Sequence, residues 1–103
     1  MPEKEYLILL DVDTRKRHYH QSKGVKIVKL MVQLEVKVEG EWREVVRYDC
    51  AHNSVHKDSY NRAGKRRKMG LFLTYEDALT FADDDITENW ELYRAKYLKG
   101  EFP

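Results

Sequence analysis

The most regular feature of the sequence is an alternation of apolar and polar residues between positions 28 and 38. Apart from Met31, every odd-numbered residue in this stretch is polar. Successive side chains of a β-strand point to opposite faces, so a period of two indicates a strand with one buried face. The buried side chains are then Val28, Leu30, Val32, Leu34, Val36 and Val38.

Gly40 marks a hairpin that leads into a second strand, Trp42–Cys50. The apolar positions of this strand are again mostly even-numbered, and opposed residues of a hairpin share a face, so the turn needs an odd number of residues. We therefore predict a three-residue turn over 39–41. The resulting core pairs are Val38/Trp42, Leu34/Val46, Val32/Tyr48 and Leu30/Cys50.

The same parity argument sets the register of the next hairpin. A three-residue loop would bury Asp58 against Val46, whereas a four-residue loop over 51–54 places favourable pairs on the outer face. We predict the four-residue loop and a further turn over 61–64, after which Asp58 faces Arg67 on a strand over 65–73. The outer-face pairs are then Asp49/His56, Arg47/Asp58 and Val45/Tyr60.

The two ends of the chain complete the predicted fold. The apolar run Tyr6–Val12 has the length of a strand, and a polar loop over 14–17 follows it. Thr74 is typical of a helix N-cap, apolar residues recur at helical spacing from Tyr75 onward, and Gly100 supplies a stop. We predict an α+β fold: an antiparallel meander of four to five strands, with one face covered by a long C-terminal helix. The other, open face carries Gln33, Arg47, Asp49, His56, Asp58 and Tyr60.

Composition narrows the class of protein. A chain of 103 residues with 42% hydrophobic residues is long enough for one core, so we expect a single compact domain over 1–103. The single cysteine excludes an intramolecular disulfide, and the N-terminal apolar run is too short for a signal peptide or a membrane span. These features predict a cytoplasmic protein that does not associate with membranes.

The outer-face pairs are the first candidate for chemistry. Asp49 could orient His56 as a general acid–base, while Arg47 holds a phosphate and His52 and Tyr60 assist. Such a set resembles the minimal equipment of a metal-independent ribonuclease. The alternative is an ordinary ladder of surface ion pairs without catalysis.

A metal site is the second candidate. The His18-Tyr19-His20 segment places two imidazoles on one side of an extended chain, and His52, His56, Asp49 and Cys50 could add ligands. The spacing matches no standard zinc pattern, and Cys50 and His56 are predicted on opposite faces of the sheet. We expect no metal and no other cofactor.

Two basic segments suggest a polyanionic partner. Residues 14–29 carry six Lys or Arg and no acid, residues 57–68 carry six and one acid, and residues 74–91 carry seven acids and no Lys or Arg. Clustered cations next to aromatic residues are typical of proteins that bind single-stranded nucleic acids. The candidate contacts are Arg15, Lys16, Arg17, Arg62, Lys65, Arg66, Arg67 and Lys68.

A short motif carries a resemblance to a known family. Arg47-Tyr48-Asp49, then Ala51-His52 and His56-Lys57, resembles the R-Y-D-N-x-x-H…H-K-H stretch of the TumE family of small toxin-like proteins. The resemblance implies that Arg47, Asp49, His52 and His56 are motif positions and that the protein has an antitoxin partner. Cys50 and Asp58 depart from the family pattern.

Together these patterns favour a small RNA-binding protein that is toxin-like, with a ribonuclease-type site on the open sheet face. The sequence leaves open whether the protein is an enzyme. The alternative is a protein-interaction module that uses the acidic helix face, with Asp83, Asp84, Asp85 and Glu88, against a basic partner or a second copy of the chain.

Overall fold

The computed structural model describes residues 2–103. It contains one antiparallel sheet, whose six strands lie in chain order, and one helix. The elements are β1 (Glu3–Asp11), β2 (Thr14–Lys23), β3 (Lys26–Val38), β4 (Glu41–Ala51), β5 (Ser54–Tyr60), β6 (Arg66–Leu71) and α1 (Tyr75–Leu98). The predicted α+β fold, the meander and the C-terminal helix are confirmed, with more strands than expected. No helix within residues 2–103 is long and apolar enough to cross a membrane.

Strand β2 accounts for part of that difference, because the predicted loop over 14–17 is wrong. Thr14, Lys16 and His18 are buried, and each is paired with a core residue of β3. Arg15 and Arg17 alternate with them and lie on the other face. The period of two is therefore present in β2, but both faces are polar, so an apolar pattern could not show it.

Strands β3 and β4 pair largely as predicted. Val32 lies opposite Tyr48 and Leu34 opposite Val46. Beyond this point the ladder contains an extra residue, Val45, and the turn shortens to Glu39 and Gly40, with φ of 52° and 81°. Positive φ at both positions is typical of a two-residue hairpin turn. Such a turn pairs even-numbered residues of β3 with odd-numbered residues of β4, and the bulge returns the ladder to the predicted even-with-even pairing at Leu34/Val46.

The bulge moves Trp42 to the opposite face from the one predicted. Trp42 lies opposite Lys37, and Val38 lies opposite Glu41, so the predicted Val38/Trp42 pair is wrong. The predicted outer-face position of Val45 is also wrong, because Val45 and Val46 are both buried in the core.

The β4–β5 register is confirmed at Asp49/His56 and Arg47/Asp58. The two strands continue to Ala51 and Ser54, which leaves only His52 and Asn53 in the turn instead of four residues. On the far side of β5, Asp58 lies opposite Lys68 and not Arg67. The predicted register between β5 and β6 is thus one residue in error.

Helix α1 packs mainly on β3, along a line of small and branched side chains. Its buried residues Ala82 and Ile86 meet Val32, Leu34 and neighbouring side chains of β3 and β4, and Ala78 packs with Leu30 and Val55. Complete burial of a branched side chain such as Ile86 contributes about 1.5–3 kcal/mol. The Thr74 hydroxyl accepts the backbone N–H of Asp77 at 3.1 Å, as expected for an N-cap. We call the side of the sheet under α1 the helix face and the other side the open face.

The predicted acidic face of α1 is divided between the core side and solvent. Asp83 binds Lys16 and His18 of β2, and Asp85 accepts hydrogen bonds from the hydroxyl groups of Tyr48 and Tyr93. Asp84 and Glu88 are exposed. Two of the four acids therefore serve the attachment of the helix to the sheet.

Candidate functional site

Strands β3 and β4 separate at one end of the sheet. Their ladder ends at Met31 and Asp49, although β3 begins at Lys26 and β4 continues to Ala51. On its other side, β3 carries an extra residue at Val28 in the ladder with β2. A bulge bends the strand that contains it. We attribute the separation of β3 from β4 to this bend.

The gap between the strands is a cleft of about 510 Å³. Small-molecule sites usually have volumes of roughly 300–1,000 Å³. The cleft is lined by side chains from the open face, by both residues of the β4–β5 turn and by the first residue of α1. Its polar and aromatic lining includes Tyr19, Lys29, Arg47, Asp49, His52 and Tyr75.

The N-terminal turn of α1 closes the cleft on the helix face. Glu76 accepts the backbone N–H of Ile27 at 2.8 Å and so satisfies a donor of β3 in the region where β4 has moved away. Tyr75 lies against Cys50; burial and this neighbour raise the pKa of the Tyr75 phenol. Tyr75 is therefore a neutral hydrogen-bonding group at physiological pH.

Arg47 is the central cation of the open face and lies beside the cleft. Its Nε donates to Asp49 Oδ2 at 2.9 Å, and its Nη1 donates to Gln33 Oε1 at 3.2 Å. These contacts fix the guanidinium group on the sheet. The nearest end of the β2–β3 hairpin adds Lys23, Lys26 and Lys29, which are exposed and form no ion pair within residues 2–103.

The predicted catalytic residues fall into two groups. Arg47, Asp49 and His52 line the cleft, whereas His56 and Tyr60 do not. His56 lies opposite Asp49 in the ladder, but its Nε2 is 3.1 Å from the Ser54 hydroxyl, and the Asp49 carboxylate accepts from Arg47. The hydrogen bond through which Asp49 would orient His56 is thus absent from residues 2–103.

Tyr60 lies at the other end of the open face. It lines a second depression of about 300 Å³ together with Trp42 and Glu44. Burial and the Glu44 carboxylate raise the pKa of Tyr60. The structure does not bring this phenol to the cleft.

The predicted RNA contacts on β2, which are Arg15, Lys16 and Arg17, form ion pairs within the fold. Arg15 and Arg17 donate to the two carboxylate oxygens of Glu35 at 2.6 and 3.0 Å. Burial alone would raise the pKa of Glu35, but hydrogen bonds from Arg15, Arg17 and Gln33 hold that pKa below its usual value. Lys16 is 5% exposed and contacts Asp83 at 3.1 Å.

The other predicted RNA contacts lie in and before β6 and are open to solvent. Arg62 and Lys65 lie in the loop before β6, and Arg66, Arg67 and Lys68 lie on β6 itself, at the edge of the sheet. All five are exposed, and none forms an ion pair within residues 2–103. Arg67 also stacks on the Phe102 ring at 4.5 Å.

The helix face holds His18 and His20, the two imidazoles that the sequence places on one side of an extended chain, in a cluster with Asp83. His18 is 3% exposed; its Nδ1 is 3.1 Å from Asp83, and its Nε2 is 2.7 Å from His20 Nδ1. Tyr6 stacks on the His18 ring at 4.5 Å. Burial, His18 and Lys4 lower the pKa of His20. The alternation of Thr14, Lys16, His18 and His20 was the signal available in the sequence.

Within residues 2–103, no three His, Cys, Asp or Glu side chains lie close enough together to hold a metal ion. The candidate ligands His52 and His56 lie in the β4–β5 turn and on the open face, and Cys50 packs with Leu30 and Val55 on the helix face.

The fold and the site together define a six-stranded antiparallel meander, covered on one face by a helix and opened at one end by a ligand-sized cleft. The chain belongs to the DUF7718 family, described as a domain of unknown function, which matches residues 1–103. No curated protein and no solved structure matches the chain.

Proposed function

We propose that this protein binds single-stranded RNA, with one nucleotide held in the cleft between β3 and β4. The observation that carries the proposal is the composition of that cleft. An aromatic ring, Tyr19, and two cations, Lys29 and Arg47, line one cavity of about 510 Å³. Stacking on an aromatic ring and cationic contact with the backbone are the two main sources of affinity for single strands.

Several residues that line the cleft have a role in this proposal. Tyr19 offers a ring for base stacking, and Lys29 offers charge to the phosphate. The charge of Arg47 is shared with Asp49 and Glu44, so Arg47 offers the phosphate mainly hydrogen bonds. Asn53 can both donate to and accept from a base edge. Because Asp49 is bound to Arg47, the acid of the cleft is compensated and does not repel the phosphate strongly.

The free cations extend this site in two directions. Lys23 and Lys26 continue from the cleft along the end of the β2–β3 hairpin. On the opposite side, the open face leads across β5 to Lys68, which lies opposite Asp58. A strand of RNA that crosses the open face would meet the β6 cations after it leaves the cleft. Affinity should then depend strongly on salt concentration.

The geometry supports binding better than cleavage. The proposed acid–base residue, His56, bonds to Ser54 and lies outside the cleft, while His52 lies within it. If the protein is a toxin-like ribonuclease with an antitoxin partner, His52 is better placed than His56 for contact with RNA. The cytoplasmic location predicted from the sequence is compatible with an RNA ligand.

The direct test uses labelled single-stranded RNA in EDTA, with retention and RNA integrity measured in the same salt series. We expect retention at low salt that falls steeply as salt increases, with intact RNA. His52→Ala and His56→Ala are the matched variants. Cleavage that only one of them abolishes would assign catalysis to that histidine, and no retention at low salt would contradict RNA binding.

A further inference from the structure

Strand β1 forms one edge of the sheet and exposes an apolar surface there. Leu7, Ile8 and Leu9 are 49%, 39% and 67% exposed. Leu7 and Leu9 lie on the open face, and Ile8 lies on the helix face. An exposed apolar edge strand readily pairs with another strand. This edge is therefore a candidate interaction surface on both faces of the sheet.

The backbone of the same strand offers free hydrogen-bonding groups. The Pro2 carbonyl accepts the Ser22 N–H of β2 at 3.0 Å. Because inward and outward groups alternate along an antiparallel strand, the even-numbered residues of β1 bond to β2. The N–H and C=O groups of Glu3, Glu5, Leu7 and Leu9 then point away from the sheet, toward a further strand.

We propose that a second copy of this chain pairs with β1 in an antiparallel arrangement, with Leu7 opposite Leu7 at the two-fold axis. Tyr6 of each copy then faces Ile8 of the other, and Glu5 faces Leu9. The two sheets of six strands become one continuous sheet. An isologous contact of this kind closes on itself and does not extend into a filament.

Charge complementarity favours this register. The ladder of β1 with β2 passes from Leu9 to Asp11, with Leu10 as an extra residue. When that bulge is counted, Lys4 of one copy lies opposite Asp11 of the other. Asp11 already contacts Arg94 at 3.1 Å, so Lys4 adds a second cation to that carboxylate, and the symmetry creates this contact twice. A register centred on Ile8 would instead place Asp11 opposite Tyr6. Of these two registers, only the one centred on Leu7 places opposite charges on either side of the apolar centre.

The other edge of the sheet cannot form an equivalent contact. Strand β6 carries Arg66, Arg67 and Lys68, so two copies of β6 would repel each other. The second copy is accordingly expected on β1, which leaves the β6 cations and the cleft between β3 and β4 accessible.

The test measures the mass of the full-length protein in solution by sedimentation velocity over a range of concentrations. We expect the wild type to form a reversible dimer as concentration rises to about 1 mM. Leu7→Lys places like charges at the axis and should remove the dimer. Leu92→Lys is the matched control, because Leu92 is 54% exposed on α1, and it should leave the dimer intact.

A mixture of two variants tests the register. Leu7→Lys and Leu7→Glu should each be monomeric alone and should form a heterodimer when mixed, because the opposite charges then meet at the axis. A wild type that stays monomeric, or a dimer that survives Leu7→Lys, would overturn the proposal. Folded variants that fail to form the heterodimer would overturn the register centred on Leu7.

Discussion

The cations of β2 and the cations in and before β6 lie in similarly basic stretches of sequence, but they have different surroundings in the fold. In β2, Arg15 and Arg17 are bound by Glu35, and Lys16 is buried against Asp83. In β6 and the loop before it, all five cations are exposed. The difference follows from position, because β2 lies inside the sheet whereas β6 forms an edge. Cations in the interior must be compensated, and cations on an edge remain available to a partner.

The largest loss of stability is expected when the carboxylate of Glu35, which neutralises Arg15 and Arg17 of β2, is removed. Glu35→Ala leaves Arg15, Arg17 and Gln33 without their common acceptor in a position where Glu35 is 5% exposed. We expect a loss of about 2 kcal/mol in the free energy of unfolding, measured by urea denaturation; the partial exposure of both arginines limits it.

The matched control for that substitution is Glu41→Ala. Glu41 pairs with Arg43 at 3.2 Å, but its side chain is 73% exposed. Its removal should change stability by less than about 0.5 kcal/mol. Equal effects of the two substitutions would show that Glu35 is an ordinary surface residue and would remove the contrast between β2 and β6.

The next largest effect is a loss of RNA affinity when the cations of β6 are removed. Replacing Arg66, Arg67 and Lys68 together by alanine should weaken RNA binding about tenfold and reduce the slope of log affinity against log salt by about 2. Arg15→Ala should change RNA affinity less than about twofold, since Arg15 is already paired with Glu35. RNA binding that depends on Arg15 more than on the β6 cations would reverse our assignment.

A smaller effect on the free energy of unfolding is expected from a change in pH. Hydrogen bonds from Arg15, Arg17 and Gln33 hold the pKa of Glu35 below 4.5, its usual value. A carboxyl group whose pKa is lower in the folded state stabilises the fold above its unfolded pKa and loses that contribution as pH falls through the folded value. The stability difference between wild type and Glu35→Ala should be constant above about pH 5 and should shrink on further acidification. A difference that grows with acid would contradict the assigned ion pairs.

The sequence predicted those parts of the fold that depend on apolar periodicity. The pairs Leu34/Val46 and Val32/Tyr48, the Asp49/His56 register and the long helix are all confirmed. Strand β2 was missed because its buried side chains are polar, and their partner Asp83 is far away in the sequence. Asp83 compensates the buried Lys16 and His18 of β2, and the sequence alone does not show that the fold brings it next to them.

The candidate site was predicted only in part for a similar reason. Arg47, Asp49 and His52 do line the cleft, but the cleft lies where the β3–β4 ladder ends, and we attribute that end to the bulge at Val28. No local residue pattern around Val28 predicts such a bulge. Likewise, the sequence shows that Asp49 can reach either His56 or Arg47, and only the structure shows that it binds Arg47.

The most direct test of the proposed RNA site compares two lysines of the same strand. Lys29 lines the cleft, and Lys37 is an exposed lysine at the other end of β3. RNA affinity is measured for Lys29→Glu and Lys37→Glu in one buffer of moderate salt concentration. We expect Lys29→Glu to weaken binding about tenfold and Lys37→Glu to weaken it less than about twofold. Equal losses would show that RNA binds by charge alone, and an unaffected Lys29→Glu variant would show that the cleft is not the RNA site.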